Sequence, residues 1–399
     1  MFLSRFGVKN YKCLGEIDIP LTPIHVLIGQ NDAGKTSLLE AMAAFYDSPH
    51  KRLSHLFPEP WDGRELVLHG SRDGTVEFSG EWIAIQDGLP PRAMGPKLRY
   101  GFSCQFSPEG EERACDARNE WIEEAGARRD LGHGGDTTVA CYSIGETQPF
   151  PPRDAAPALG SLRVERYSLG PTTMSVPAAI NPARRFRLDP DGFGLPTLLD
   201  DILGHDPERF LALRAEFCRH FPQFRSVRVR SENAILRSYS PVGFHASTGQ
   251  TGKGIVLETR SGQTIRAQQA SDGAILFLGF LALSYVPEPP TLLLIEEPEN
   301  GIYPKRLAEV IKILKQLVYR TEGPAFPQII LSTHSPYVLS FFEPEEATFL
   351  SRPPGDQDGP VRARPLREAP NIKERLAGGE FYLGELWYNL TEEELFGNA

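Results

Sequence analysis

Ile24-His25-Val26-Leu27-Ile28-Gly29-Gln30-Asn31-Asp32-Ala33-Gly34-Lys35-Thr36-Ser37 is the stretch that decides the fold. Ile24–Ile28 does not alternate, which predicts a strand buried on both faces. Helical spacing begins at Lys35 and runs to Tyr46. Between them, Gly29–Thr36 fits GxxxxGK[ST], a glycine-rich turn that must sit between a strand and a helix. Its glycines let successive backbone N–H groups face a phosphate, and the helix N-terminus adds its dipole. Lys35 brings a point charge to the β- and γ-phosphates, and the Thr36 hydroxyl is placed for Mg²⁺. Asn31, Asp32, Ala33, Gly34 and Ser37 complete the expected nucleotide-binding loop.

Three further stretches carry chemistry. Thr291–Ile295 predicts a second buried strand ending in Glu296-Glu297-Pro298-Glu299-Asn300. Open α/β sheets bind ligands at such strand ends. Glu296 can hold Mg²⁺ through its water shell, and Glu297 can polarise an attacking water as general base. Ile329-Ile330-Leu331 leads into Ser332-Thr333-His334-Ser335-Pro336, a strand end whose histidine can sense a γ-phosphate. Ser271-Asp272-Gly273 precedes an apolar helix and suits an anion at its N-terminus. Each has a plain structural alternative when taken alone: a solvated strand end, a structural histidine, an ordinary N-cap.

Their order along the chain resembles the ABC-type ATPase head, and within it the SMC/RecF/OLD-like group rather than transporter subunits. Val8-Lys9-Asn10-Tyr11-Lys12-Cys13-Leu14 is similar to that group's N-terminal segment. Glu296-Glu297-Pro298-Glu299-Asn300-Gly301-Ile302-Tyr303-Pro304 is similar to its acidic stretch, and Gly384-Glu385-Leu386-Trp387-Tyr388-Asn389 to the end of its ATPase-only members. The resemblance implies an α/β head: a mostly parallel sheet carrying the phosphate loop, an antiparallel β subdomain and a helical lobe. It implies ATP and Mg²⁺ as ligands, with Thr36 and Glu296 on the metal. It implies a head-to-tail dimer in which each ATP lies on one copy's phosphate loop and under the other's Ser271, Asp272 and Gly273. Lys12 matches the basic residue near the nucleotide, Glu297 the catalytic base, His334 the switch histidine, and Glu299–Gly301 the loop that communicates across the dimer. Departures are Asp32-Ala33 in the loop, Tyr303 where a histidine is common, and Ser-Asp-Gly in place of the transporter Leu-Ser-Gly-Gly-Gln. Gln86 and Gln105 are candidates for the Mg²⁺-sensing glutamine.

Composition bounds the rest. The 399 residues carry a formal charge of −10, which argues against a nucleic-acid-coating protein but not against a local basic groove. Five separated cysteines without a CxxC pair argue against zinc or a disulfide framework and for a reducing, cytoplasmic setting. The most apolar stretch, 274–286, is too short to span a bilayer, so no membrane partner is expected. The expected organisation is one composite head: 1–47 and 287–399 as nucleotide-binding core, 48–182 as a β-rich and loop insertion, 183–286 as helical lobe. One helix is expected inside Glu109–Glu124, and loop over Gly126–Pro157.

About 60 residues follow His334, too few for the TOPRIM domain of OLD-like nucleases, so a nuclease would be a partner chain. The leading expectation is an ATP-gated homodimer or higher oligomer that controls a partner effector, a nuclease or toxin, in anti-phage defence or genome maintenance. The alternatives are a RecF-type repair ATPase that clamps DNA directly and an ATP-dependent scaffold with little turnover. Arg184-Arg185-Phe186-Arg187, Arg225 to Arg237 and Arg362-Ala363-Arg364 are the candidate DNA contacts. Arg228 and Arg230 share a strand face by period two.

Overall fold

The computed structural model describes residues 2–57, 63–71, 74–86, 92–106, 115–124, 126–132, 135–136, 138, 159–181, 185–240, 243–319, 327–353, 356, 359–370, 372–377, 382–390 and 392–396. The chain divides into two units.

The first unit comprises Met1–Arg166, Pro290–Ile295 and Val318–Ala399. It holds an antiparallel sheet of order β2-β1-β4-β5-β6-β7. Its strands are β1 (Phe2–Tyr11), β2 (Leu14–Pro20), β4 (Thr75–Gln86), β5 (Arg92–Phe106), β6 (Cys115–Glu124) and β7 (Ala127–Gly132). One face of it meets helix α1 (Lys35–Asp47), which follows β3 (Ile24–Ile28) and the phosphate loop. Phe45 of α1 stacks on Trp82 at 5.4 Å, Tyr100 at 5.7 Å and Phe102 at 6.2 Å between ring centroids. Such pairs add about 0.5–1.5 kcal/mol each beyond their area. Gly80 makes room for this: a Cβ there would come within 2.5 Å of the Phe45 ring.

The second sheet of this unit runs β16-β15-β3-β14-β13-β8. Its members are β8 (Val164–Tyr167), β13 (Leu292–Glu296), β14 (Gln328–Thr333), β15 (Ala347–Ser351) and β16 (Arg362–Pro365). β3 lies between parallel partners β14 and β15. Every residue of β3 and of β14 is buried, which explains their unbroken apolar runs. The Gln328 amide accepts from Leu3 N at 3.0 Å and donates to Leu3 O and Thr22 O at 2.8 and 3.0 Å, pinning β14 to β1. The same buried cluster holds Leu38 and Met42 of α1 with Leu292, Leu294 and Ile330 of the sheet. The phosphate-loop helix is therefore sandwiched between two sheets.

The second unit comprises Tyr167–Pro289 and Glu296–Leu317. It contains α2 (Pro171–Ser175), α3 (Leu195–His205), α4 (Pro207–His220), α5 (Asp272–Ser284) and most of α6 (Pro304–Tyr319). Its sheet is dominated by a hairpin of two 17-residue strands, β10 (Phe224–Ser240) and β11 (Gly243–Thr259), joined by β9 (Ala178–Ala179) and β12 (Thr264–Arg266). Pro207 opens α4 and the Asp206 carboxylate caps it by accepting from Arg209 N at 3.0 Å. Phe277 of α5 packs on Phe217, Phe221 and His220 of the α4 end.

Three expectations change. Of the span Glu109–Glu124, expected to hold a helix, the described part, Cys115–Glu124, is instead β6, paired with β5 from Phe106↔Cys115 to Leu98↔Glu124, and 109–114 lie outside the described residues. Its glutamates favour a helix weakly, whereas burial of Cys115, Ala117, Glu120 and Ile122 fixes a strand. The loop expected over Gly126–Pro157 contains β7 at Ala127–Gly132, and most of the remainder lies outside the described residues. The insertion drawn at 48–182 is not one piece. β4 pairs with β1 through seven register partners, while Tyr167 onward belongs to the second unit, as does the Glu296–Leu317 stretch.

Candidate nucleotide site

The phosphate loop leaves β3 at Ile28 and closes on α1 at Gly34, which takes a left-handed φ of 81°. Asp32 is left-handed too, with φ 61°, which a non-glycine residue adopts only at some cost. The loop is walled on both sides. A Cβ at Gly34 would come within 3.1 Å of Cys13 Sγ and Leu14 Cδ2 and 3.2 Å of Val361 Cγ2. A Cβ at Gly29 would come within 2.5 Å of the Leu350 carbonyl oxygen and 3.0 Å of Ala33 Cβ. Glycine at both positions is what lets the backbone cradle form. Lys35 Nζ donates to the carbonyls of Gly29 and Gln30 at 2.9 and 2.8 Å, so its ammonium sits over the loop. Asn31, Asp32 and Thr36 are exposed, and Ser37 Oγ lies 3.6 Å from Cys13 Sγ.

Lys12 forms the tight turn from β1 to β2, again with a left-handed φ of 52°. Its Nζ is 2.5 Å from Glu40 Oε2 of α1. Glu40 also takes Arg166, at 3.0 Å. Neither Glu40 nor Arg166 stood out in the sequence. Glu40 lies four residues past Thr36, on the same helix face, and that spacing is the signal that finds it. Beneath the loop His25 is fully buried between Thr22 Oγ1 at 3.1 Å and Thr348 Oγ1 at 2.9 Å. Burial lowers its pKa to about 3, with a smaller contribution from the Arg367 charge, so the ring is neutral.

The strand-end histidine falls beside this loop. Parallel pairing of β14 with β3 aligns Thr333 with Ile28, so His334 and Gly29 leave the sheet at the same edge. Thr333 Oγ1 accepts from Ser335 N at 3.0 Å and shapes the turn, with His334 exposed.

The other expected residues lie on the second unit. Glu296 ends β13 and Glu297 follows it with a left-handed φ of 44°. Asn300 Nδ2 donates to Glu297 Oε2 at 2.8 Å, and Asn300 N to the Glu297 carbonyl at 3.0 Å. That turn carries Gly301, whose carbonyl oxygen is the nearest neighbour, at 3.6 Å, of a Cβ built on Gly273. Ser271 is the N-cap of α5 without a side-chain cap bond, and Ser271 and Asp272 are both exposed. The structure thus joins the serine-glycine helix start to the 297–301 turn.

Gln86 and Gln105 lie in β4 and β5 of the antiparallel sheet. Neither stands at the end of a strand of the sheet that carries the phosphate loop. Arg228 and Arg230 are both exposed on β10, two residues apart, as expected, but Arg228 and others of this stretch are engaged by carboxylates. Arg225 and Arg228 both pair with Glu258, the latter at 2.7 Å, while Arg237 pairs with Asp191 at 2.8 Å and covers the Phe193 ring. Arg184 lies outside the described residues.

The residues present fit a nucleotide with Mg²⁺: a glycine-formed cradle, a lysine over it, and a hydroxyl at the first helical turn. Among the described residues, no group of three or more His, Cys, Asp or Glu is placed to hold a metal ion. Among the described residues no helix is long and apolar enough to cross a membrane.

Comparison with known proteins agrees. A family model described as AAA ATPase domain matches residues 1–80. A second, described as AAA domain, putative AbiEii toxin, Type IV TA system, matches residues 167–340. The OLD nuclease of Thermus scotoductus (strain ATCC 700910 / SA-01) is 50% identical over 40 residues, 10% of this chain and 8% of that relative. Among solved structures, an SMC head bound to the C-terminal winged-helix domain of ScpA superposes with a TM-score of 0.52 at 14% identity, over 91% of this chain and 97% of that one. A Pyrococcus furiosus Smc head with an extended coiled coil, bound to the C-terminal domain of ScpA, also gives 0.52, at 12% identity over 94% and 99%. The fold is that of an SMC head. The two ATPase-domain matches and the short nuclease match accord with it, and together they support the resemblance to ABC-type ATPase heads of the SMC/RecF/OLD-like group.

Proposed function

We propose that this chain binds and hydrolyses ATP as a head-to-tail dimer and thereby gates a partner effector, a nuclease or toxin, in anti-phage defence or genome maintenance. The observation that carries the reading is the Ile28↔Thr333 register, which sets the phosphate loop and His334 at one sheet edge. Lys35 and the loop N–H groups hold the phosphates, with Lys12 near the nucleotide. Mg²⁺, when bound, neutralises charge on the β- and γ-phosphate oxygens; Thr36 and Glu296 would hold it. Glu297 takes a proton from the attacking water, and His334 hydrogen-bonds the γ-phosphate end. Ser271, Asp272 and Gly273 act in trans, on the nucleotide of the second copy, with the 297–301 turn behind them.

An effector as partner is supported by the toxin-system description of the 167–340 match and by the OLD nuclease match. A direct DNA clamp draws less support, because Arg225 and Arg228 are engaged by Glu258. Duplex binding that weakens with salt and is lost in Arg228→Glu/Arg230→Glu would move the reading to the clamp. The test of the main reading is ATP turnover alongside oligomeric state. ATP-dependent dimerisation with turnover supports it, and a monomer with no nucleotide binding refutes it. Dimerisation without turnover leaves the scaffold.

A further inference from the structure

Gly384-Glu385-Leu386-Trp387-Tyr388-Asn389 lies outside the nucleotide site, yet the structure ties it to the strand-end histidine. It forms α8 (Leu383–Asn389), with Leu383 and Leu386 buried. α8 packs on α7 (Pro336–Leu339), a short helix that begins two residues after His334. At the crossing Gly384 lies directly on the Pro336 carbonyl. A Cβ at Gly384 would overlap that oxygen and would come within 2.6 Å of the carbonyl carbon and of Ser340 Oγ. The same oxygen accepts from Ser340 N at 3.1 Å and Ser340 Oγ at 3.0 Å, so it has little room to yield. On the other side of His334, Thr333 is fixed in β14 by its register with Ile28. His334 therefore stands between one residue locked in the sheet and another locked under α8.

We infer that Gly384 is a positioning residue for His334: α8 holds the turn after β14, and only glycine allows the approach. The inference rests on the role given to His334 above. Misplacing a group by about 1 Å at a reacting centre costs on the order of a hundred-fold in rate. A side chain at 384 must displace the Pro336 carbonyl, and with it the histidine turn.

The experiment is steady-state ATP hydrolysis by the full chain as wild type, Gly384→Ala, His334→Ala and the double variant, with thermal melts of each. Gly384→Ala is expected to lower kcat about ten-fold or more while KM for ATP changes less than about two-fold. The double variant is expected to lose no more than His334→Ala alone, because both changes disable one group. Leu386→Ala loosens α8 without a clash, and is expected to lower kcat in the same way if Gly384→Ala fails to fold. Wild-type kcat in a folded Gly384→Ala protein (or in Leu386→Ala, where that variant stands in), or losses that add in the double variant, would overturn the inference. If His334→Ala itself turns over normally, the role given to His334 fails instead.

Discussion

Ile28 and Thr333 are register partners on adjacent parallel strands, and the next residues along the two segments are Gly29 and His334. Residues 305 positions apart in sequence thus leave one sheet edge side by side. This pairing depends on strands buried on both faces, and it places a phosphate-binding loop and a histidine where one substrate can reach both.

The loop's ammonium is the most direct handle on binding. Lys35 is 6% exposed and bonded to two loop carbonyls. Lys35→Ala should leave the fold intact and weaken ATP by about a hundred-fold or more, the loss of a charge-assisted contact worth about 3 kcal/mol. Isothermal titration with ATP measures it. Wild-type affinity would remove the loop from the site.

Gly34 combines a left-handed φ with close walls from Cys13, Leu14 and Val361. Gly34→Ala should therefore destabilise the chain by about 1–3 kcal/mol and weaken nucleotide binding together. Chemical denaturation and nucleotide titration read the two effects. A stabilising substitution there would contradict the loop geometry.

How much of this was legible beforehand divides cleanly by period and distance. β3, β14 and the phosphate loop read directly, because continuous apolar runs and a fixed glycine spacing are local signals. β6 did not: its acidic composition suits a helix, and only pairing with β5 overrides it. The Glu258 pairing of Arg225 and Arg228 was invisible for the same reason, since the acid comes from the neighbouring strand 30 and more residues away. Glu40 is reachable by its helical spacing from Thr36, whereas Arg166, which pairs with it from a distant strand, is named by no spacing rule.

Acid stability supplies an independent check on the core beneath the site. His25 is buried neutral, its pKa lowered from 6.5 to about 3, so the unfolded chain takes up a proton that the folded chain refuses. The sign follows: this contribution is fully present above about pH 6.5 and is lost as pH falls from there toward about 3. His25→Gln should lower stability at neutral pH, because the bonds to Thr22 and Thr348 are disturbed. It should also flatten the decline between pH 6.5 and 4 relative to wild type. Urea denaturation across that range measures both, and parallel curves for the two proteins would count against a neutral buried histidine.

Lys12 and Arg166 share Glu40. Lys12→Ala should weaken ATP by about five- to ten-fold, less than Lys35→Ala, since it removes one charge at the edge of the loop. An unchanged dissociation constant would take Lys12 out of the site.

The most direct test of the whole account is Glu297→Gln, read by ATP turnover and by light scattering on the size-separated protein with and without ATP. The change keeps the turn and most of the side chain's shape but removes the carboxylate proposed as the base. For Glu297 as the base of an ATP-gated dimer, near wild-type ATP affinity, hydrolysis reduced about a hundred-fold or more, and a dimer that accumulates with ATP are expected. A variant that hydrolyses at the wild-type rate, or stays monomeric with ATP bound, contradicts that reading.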